Sequence, residues 1–203
     1  MKIVLIDYGV GNLRSVKKAL ETVGAAVILT DDPELILKGD KVVLPGVGAF
    51  KDGILGLQQR GLMPAIQRVV EQKTPLLGIC LGMQLLFKRS SEMGESVGLG
   101  LINGVVEKFS IEGLKIPHTG WNQLQIMASS PLIKGLEDNA FVYFNHSYYC
   151  SLTEKAACVA NTDYGISFPA AVQSGSIFGV QFHPEKSQDI GLSILRNFVE
   201  FCE

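Results

Sequence analysis

Apolar residues in the first half of the chain form short runs that alternate with segments of helical periodicity. The first apolar runs, each bounded by loop residues, predict the buried strands Lys2–Asp7, Ala26–Thr30 and Lys41–Leu44. The intervening periodic segments predict a helix from the cap Asn12 to Gly24, a short helix opening at Asp31-Asp32-Pro33 and a helix from Pro64 to Gln72. Such strand–helix alternation predicts a mainly parallel sheet, with reactive loops at the carboxyl ends of its strands.

The second half changes character and predicts more strands with few helices between them. These strands are Gly100–Phe109, Trp121–Ile126, Ala140–Cys150, Ala157–Asn161 and Ala170–Gln173, followed by a hairpin through Gly175 into Ser176–Phe182. Residues 188–202 have the pattern of an amphipathic helix. We therefore expect one α/β domain over residues 1–203: a mostly parallel central sheet flanked by helices, with additional strands in the second half.

Composition narrows the class of protein. The 203 residues are 47% hydrophobic and 19% charged, which indicates a globular chain. A formal charge of −2 gives no reason to expect nucleic acid or an anionic membrane as partner. The four cysteines lack zinc-site spacing, and neither a signal peptide nor a run of eighteen apolar residues is present. We expect reduced thiols, no metal and a cytoplasmic location.

The run Gly78-Ile79-Cys80-Leu81-Gly82 places a thiol between a predicted strand and a helix-like segment. Small neighbours permit a sharp turn that pushes a nucleophile out of a sheet. The N-terminus of the following helix favours a thiolate, and the N–H of Leu81 points to where an oxyanion would form. The alternative is a buried structural cysteine.

A thiol nucleophile needs a base, and His183 follows directly after a predicted strand. Residues i and i+2 of an extended segment point the same way, so Glu185 can orient the imidazole of His183. Cys80, His183 and Glu185 then form a thiol triad. The alternative for His183 is a capping or surface histidine, and His118 and His146 are expected to be loop or interface residues rather than metal ligands.

Two glycine-containing loops remain. In Pro45-Gly46-Val47-Gly48 the flanking glycines let the peptide turn, so that the N–H of Val47 can serve as the second oxyanion donor beside Leu81. The loop Gly9-Val10-Gly11-Asn12 follows the first strand, but Arg14 stands where a dinucleotide fingerprint needs glycine. We read it as a strand-to-helix turn and expect no nucleotide.

Pro-Gly-Val-Gly, Gly-Ile-Cys-Leu-Gly-Met-Gln and His-Pro-Glu, in this order, resemble the class I, triad-type glutamine amidotransferases over essentially the whole chain. The resemblance implies hydrolysis of the glutamine side-chain amide without a cofactor, with Cys80 as nucleophile, His183 as proton carrier and Glu185 as its holder. For Glu92 it implies a contact with the substrate ammonium, where the alternative is a solvated loop acid. The positions that match the family's glutamine-holding residues are Gly48, Gln84, Glu92, Asn145, His146, Ser147 and Tyr148.

More narrowly, the segments around Asn12, Trp121 and Lys186 resemble glutaminase subunits that form a heterodimer with a (β/α)8-barrel cyclase in histidine biosynthesis. The resemblance places these three residues at the subunit interface. It implies that the cyclase uses the ammonia to make imidazole glycerol phosphate and an aminoimidazole ribotide. Ammonia that escapes into neutral water becomes ammonium and loses its nucleophilic lone pair, so direct transfer to a partner is expected.

Other readings stay open. A glutaminase subunit of another synthase, such as one that amidates a surface sugar, would keep the same catalytic residues. The vitamin B6 glutaminase lacks support because no Gly-Gly-Glu-Ser precedes the nucleophile. A thiol redox sensor or a binding module on a similar fold would explain Cys80, but it leaves His-Pro-Glu and Pro-Gly-Val-Gly without a purpose.

Overall fold

The computed structural model describes residues 1–202. Its strands are β1 (Lys2–Ile6), β2 (Ala26–Thr30), β3 (Lys41–Leu44), β4 (Leu76–Ile79), β5 (Phe87–Ser90), β6 (Ser96–Val97), β7 (Ile102–Lys108), β8 (His118–Gln123), β9 (Gln125–Ile126), β10 (Phe141–His146), β11 (Tyr148–Leu152), β12 (Cys158–Asp163), β13 (Ser167–Ser174) and β14 (Ile177–Val180). Its helices are α1 (Leu13–Thr22), α2 (Pro33–Ile36), α3 (Phe50–Gln59), α4 (Met63–Glu71), α5 (Leu81–Leu85) and α6 (Gln188–Phe201). Over these residues no helix is both long and apolar enough to cross a membrane.

An eight-stranded sheet in the order β2-β1-β3-β4-β14-β13-β12-β9 runs through the molecule. The first five strands are parallel, and the last three join antiparallel through the hairpin β13–β14. Gly78 of β4 pairs with Leu44 of β3 on one side and with Gly179 of β14 on the other. The loops that leave these three neighbouring strands therefore meet at one edge. They carry Pro45–Gly48, Cys80 and His183.

Both faces of this sheet are covered, as the alternation along β1 shows. Ile3 and Leu5 belong to a core cluster with residues of α1 and α6, whereas Val4 and Ile6 belong to a second cluster with residues of α2, α3 and α4. Each fully buried side chain of this kind contributes about 1.5–3 kcal/mol. The sheet is thus packed on both faces. Its parallel strands and flanking helices confirm the expected α/β architecture.

The strand predicted over Ala140–Cys150 is two strands that belong to different sheets. β10 pairs with β8, with His146 opposite His118, while β11 pairs with β7 in a four-stranded sheet that also contains β5 and β6. The chain changes sheets at Ser147. The prediction of one continuous strand was wrong because an uninterrupted β-like sequence pattern does not show where the chain leaves one neighbouring strand and pairs with another.

Helix α3 has no counterpart among the predicted elements, because two glycines lower its helix propensity. Packing requires glycine at position 56 and leaves little room for a side chain at position 53. A Cβ on Gly56 would lie 2.4 Å from the carbonyl oxygen of Tyr8, and one on Gly53 would lie 3.0 Å from the side chain of Leu85. Close approach to the Tyr8 backbone and the Leu85 side chain therefore outweighs the local cost of glycine in this helix.

Candidate active site

Cys80 occupies a strained turn between β4 and α5. Its φ of 53° and ψ of −110° lie in a region that side-chain-bearing residues rarely adopt. The neighbouring glycines make the turn possible, since a Cβ on Gly82 would lie 1.8 Å from the carbonyl oxygen of Leu44. A Cβ on Gly78 would lie 2.7 Å from the backbone of Met83. Glycine is obligatory on both sides of the thiol for steric reasons.

His183 and Glu185 meet the thiol from the end of β14. Nδ1 of His183 lies 2.8 Å from Oε1 of Glu185, and the two side chains are 3% and 1% exposed. Burial by itself would lower the pKa of His183, but hydrogen bonds and charge interactions with Cys80 and Glu185 outweigh it and raise this pKa to about 10. The imidazole therefore holds its proton at neutral pH, which suits a group that acts as a general acid.

Ser187 holds the turn that carries His183, and nothing in the sequence pattern indicated it. Its hydroxyl donates to the carbonyl oxygen of His183 (2.6 Å) and accepts from the N–H of Tyr143 (2.9 Å). The N–H of His183 in turn donates to the carbonyl of Tyr143 at 2.9 Å. Tyr143 in β10 lies 44 residues before Ser187, so only the tertiary structure shows that Ser187 clamps the histidine to this strand.

In the oxyanion loop, the N–H of Leu81 donates to the carbonyl oxygen of Gly46 at 3.3 Å. The N–H of Val47 belongs to the same trans peptide and points the opposite way. Both expected donors are thus next to Cys80, but in this conformation one is occupied and the other is turned away. Upstream, the hydroxyl of Tyr8 donates to the carbonyl of Pro45 and anchors the loop to the core.

A cavity of about 250 Å³ opens beside Cys80 and His183. This volume lies below the range of about 300–1,000 Å³ typical of drug-sized ligands and suits one small polar molecule. All the residues expected to hold glutamine line it: Gly48, Gln84, Glu92, Asn145, His146, Ser147 and Tyr148. The two oxyanion residues, Val47 and Leu81, line it as well, and so does Lys186. A larger cavity of about 930 Å³ between Trp121 and α6 contains none of the triad.

Two side chains in this cavity are fixed by the protein itself. Oε2 of Glu92 accepts from the N–H of Phe50 at 2.7 Å and so caps the N-terminus of α3. The N-cap residue of that helix makes no side-chain capping hydrogen bond itself. Nε2 of Gln84 donates to the carbonyl of Tyr148 (3.1 Å) and to Oε1 of Gln181 (3.0 Å). Gln181, absent from the predicted site, reaches the sulfur of Cys80 at 3.8 Å through Nε2.

His118 and His146 are not loop residues, and that expectation was wrong. They lie opposite each other in β8 and β10, both buried, with Nδ1 of His118 3.0 Å from Nε2 of His146. Burial lowers the pKa of His118 to about 4 and that of His146 to about 3. Within residues 1–202 no cluster of side chains is suited to a metal ion.

The three predicted interface residues have different surroundings. Trp121 is 46% exposed and packs edge-on against Tyr143 at 6.1 Å, and Nζ of Lys186 lies 5.8 Å from the same ring. These three side chains form an aromatic–basic cluster next to the histidine turn. Asn12 caps α1 by accepting from the N–H of Ser15.

A family model described as glutamine amidotransferase class-I matches residues 4–201. The chain belongs to the class I glutamine amidotransferase family. The structure of PurLQS from Thermotoga maritima has the same fold, with a TM-score of 0.78 and 20% sequence identity over 100% of this chain and 99% of that one.

Within the family, several similar curated proteins are HisH subunits of imidazole glycerol phosphate synthase. The one from Moorella thermoacetica is 49% identical over 198 residues, covering 98% of this chain and 94% of that protein. The one from Geobacter sulfurreducens is 49% identical over 205 residues and covers 98% of each chain. The chain groups with the HisH subunits.

Proposed function

We propose that this chain, acting as one domain over residues 1–203, is a glutaminase subunit that hydrolyses glutamine to glutamate and ammonia. The observation that carries the proposal is the buried Cys80–His183–Glu185 arrangement, with Cys80 on a strained turn and with Cys80 and His183 lining a cavity the size of one small molecule. Its similarity to HisH subunits assigns the class of substrate.

In the proposed reaction the thiolate of Cys80 bonds to the amide carbon, and the carbonyl electrons move to the oxygen. His183 gives its proton to the amide nitrogen as the C–N bond breaks, so ammonia leaves and a thioester remains. The neutral imidazole then takes a proton from water, whose oxygen attacks the thioester. The C–S bond breaks and glutamate leaves. Glu185 keeps the imidazole oriented throughout, and Val47 and Leu81 stabilise the oxyanion once the loop has turned.

The partner we propose is a (β/α)8-barrel cyclase, in a cytoplasmic heterodimer that makes imidazole glycerol phosphate and an aminoimidazole ribotide. The relatives are named as subunits of a synthase, which supports a partner chain. The cluster of Trp121, Tyr143 and Lys186 supports its location, since aromatic and basic side chains are left partly exposed beside the site where ammonia forms. Asn12, on the neighbouring loop, completes the proposed interface.

Replacing the nucleophile tests the proposal directly. In the complex with the cyclase, Cys80→Ala is expected to abolish synthesis driven by glutamine and to leave synthesis driven by added ammonia unchanged, because the thiol acts only on the amide. Loss of the ammonia-driven reaction in a well-assembled complex would contradict the proposal. A wild-type chain that neither releases glutamate nor supports this cyclase would favour another synthase or a thiol sensor.

A further inference from the structure

The buried histidine pair has no part in the reaction described above, yet it ends at the glutamine cavity. Nδ2 of Asn122 lies 3.3 Å from Nε2 of His118, and Nδ1 of His118 lies 3.0 Å from Nε2 of His146. Nδ1 of His146 lies 2.7 Å from the carbonyl oxygen of Tyr148, a residue of the cavity wall. These contacts form an unbroken hydrogen-bonded chain from Asn122, next to the exposed Trp121, to the cavity.

The direction of every hydrogen bond in this chain follows from its last member. A carbonyl oxygen only accepts, so Nδ1 of His146 carries a proton, and in a neutral ring its Nε2 must accept. Nδ1 of His118 must then donate, and its Nε2 accepts from the amide of Asn122. Burial keeps both rings neutral by lowering their pKa values. Each ring therefore has one permitted tautomer.

The same Tyr148 carbonyl fixes the amide of Gln84. Nε2 of Gln84 donates one hydrogen to that carbonyl and the other to Gln181, whose own amide nitrogen faces the sulfur of Cys80. Turning the Gln84 amide over would place its oxygen against the carbonyl oxygen of Tyr148, which is repulsive. Its oxygen is thus left as an acceptor in the cavity, matched to an N–H donor of the substrate.

We propose that His118 and His146 are positioning residues of the glutamine site, which fix the Tyr148 carbonyl and through it the acceptor that Gln84 presents to the substrate. This inference rests on the proposed function, because it takes glutamine as the molecule that Gln84 meets. It assigns the histidine pair, with its two fixed tautomers, a role in substrate recognition rather than in proton transfer to Cys80.

Two variants of His118 separate the hydrogen bond from the ring. Phenylalanine keeps the stacking on Phe144 and Tyr164, whose ring centroids lie 4.8 Å and 4.0 Å away, but it removes the donor to His146. Asparagine removes the ring but can place an amide N–H near the position of Nδ1. The probes are a diazoketone analogue of glutamine and iodoacetamide. Both alkylate Cys80, but only the analogue carries an α-ammonium group, the N–H donor that it shares with glutamine.

We expect His118→Phe to lower the analogue's rate relative to that of iodoacetamide about fivefold to tenfold, the loss typical of one hydrogen bond. His118→Asn should recover part of this selectivity. Selectivity equal to that of the wild type in a folded His118→Phe chain would overturn the inference. If the wild-type chain itself fails to prefer the analogue, the proposed function fails and the inference falls with it.

A measurement on the wild-type chain keeps the inference open to refutation even if the phenylalanine variant does not fold. Long-range proton–nitrogen NMR spectra distinguish the two imidazole tautomers and the charged ring. At pH 7 we expect His118 and His146 both to be neutral with the proton on Nδ1. An Nε2–H tautomer or a charged ring at His146 would overturn the chain of donors.

Discussion

The oxyanion loop allows a sharp test through the backbone N–H of Val47. Val47→Pro removes that N–H altogether, whereas Val47→Ala shortens the side chain and keeps the donor. The side chain of Val47 is 39% exposed, so neither substitution leaves a cavity in the core. Pro45 and its hydrogen bond with Tyr8 lie upstream of the change.

The expected magnitude follows from the conformation of the loop. The carbonyl of Gly46 accepts from the N–H of Leu81 at 3.3 Å, near the long end of N–H···O distances. A modest interaction of about 1 kcal/mol therefore holds the Gly46–Val47 peptide in its resting orientation. A single oxyanion donor contributes about 2.7–4 kcal/mol to the transition state, or about a hundredfold to a thousandfold in turnover. A partner therefore has to supply little energy to turn the peptide, and the gain in rate is large.

The assay is the steady-state release of glutamate by the free chain, by the complex with the proposed cyclase, and by that complex with the cyclase's ligand bound. We expect the wild type and Val47→Ala to be slow alone and about a hundredfold or more faster in the liganded complex. Val47→Pro should stay slow in all three states while synthesis from added ammonia is preserved. A free chain as fast as the liganded complex would refute switching, and a proline variant as fast as the alanine variant would refute the role of Val47.

Three further outcomes are expected. His183→Ala should reduce glutaminase turnover far more than Glu185→Gln, because glutamine keeps a hydrogen-bonding group 2.8 Å from Nδ1 of His183. Equal losses in the two assembled variants would give Glu185 a larger role. Gly82→Ala should destabilise the chain by more than about 3 kcal/mol in urea unfolding, because the added Cβ meets the Leu44 carbonyl. Gly113→Ala has open space around its Cβ and a positive φ, and it should cost only about 1–2 kcal/mol. Similar losses for the two variants would argue against the steric account. The pKa values of His118 and His146 are lowered to about 4 and about 3, so the contribution of the two rings to the free energy of unfolding is full above pH 6.5 and declines as the pH falls toward 4. The decline is up to about 1.4 kcal/mol per pH unit for each ring. His118→Phe should flatten it. An unchanged slope in the variant would show that His118 does not titrate in this way.

Local chemistry was sufficient to predict that His183 and Glu185 lie beside Cys80. A nucleophile between two glycines after a strand, and a histidine followed two residues later by an acid, are patterns whose physical causes lie within a few residues of sequence. The strained φ of Cys80 and the 2.8 Å contact of His183 with Glu185 are therefore consistent with what the sequence predicts. The apolar runs likewise indicated the parallel strands, because burial on both faces of a sheet requires continuous hydrophobic residues.

Contacts between distant segments were decided only by the tertiary structure. The pairing of His118 with His146, the clamp of Ser187 on Tyr143 and the reach of Gln181 to Cys80 each join residues whose separation in sequence carries no periodic signal. The two glycines of α3 argue against a helix until the neighbouring backbone is in place. The orientation of the Gly46–Val47 peptide likewise depends on which donor lies opposite it, since glycine permits both directions and only the packed loop selects one.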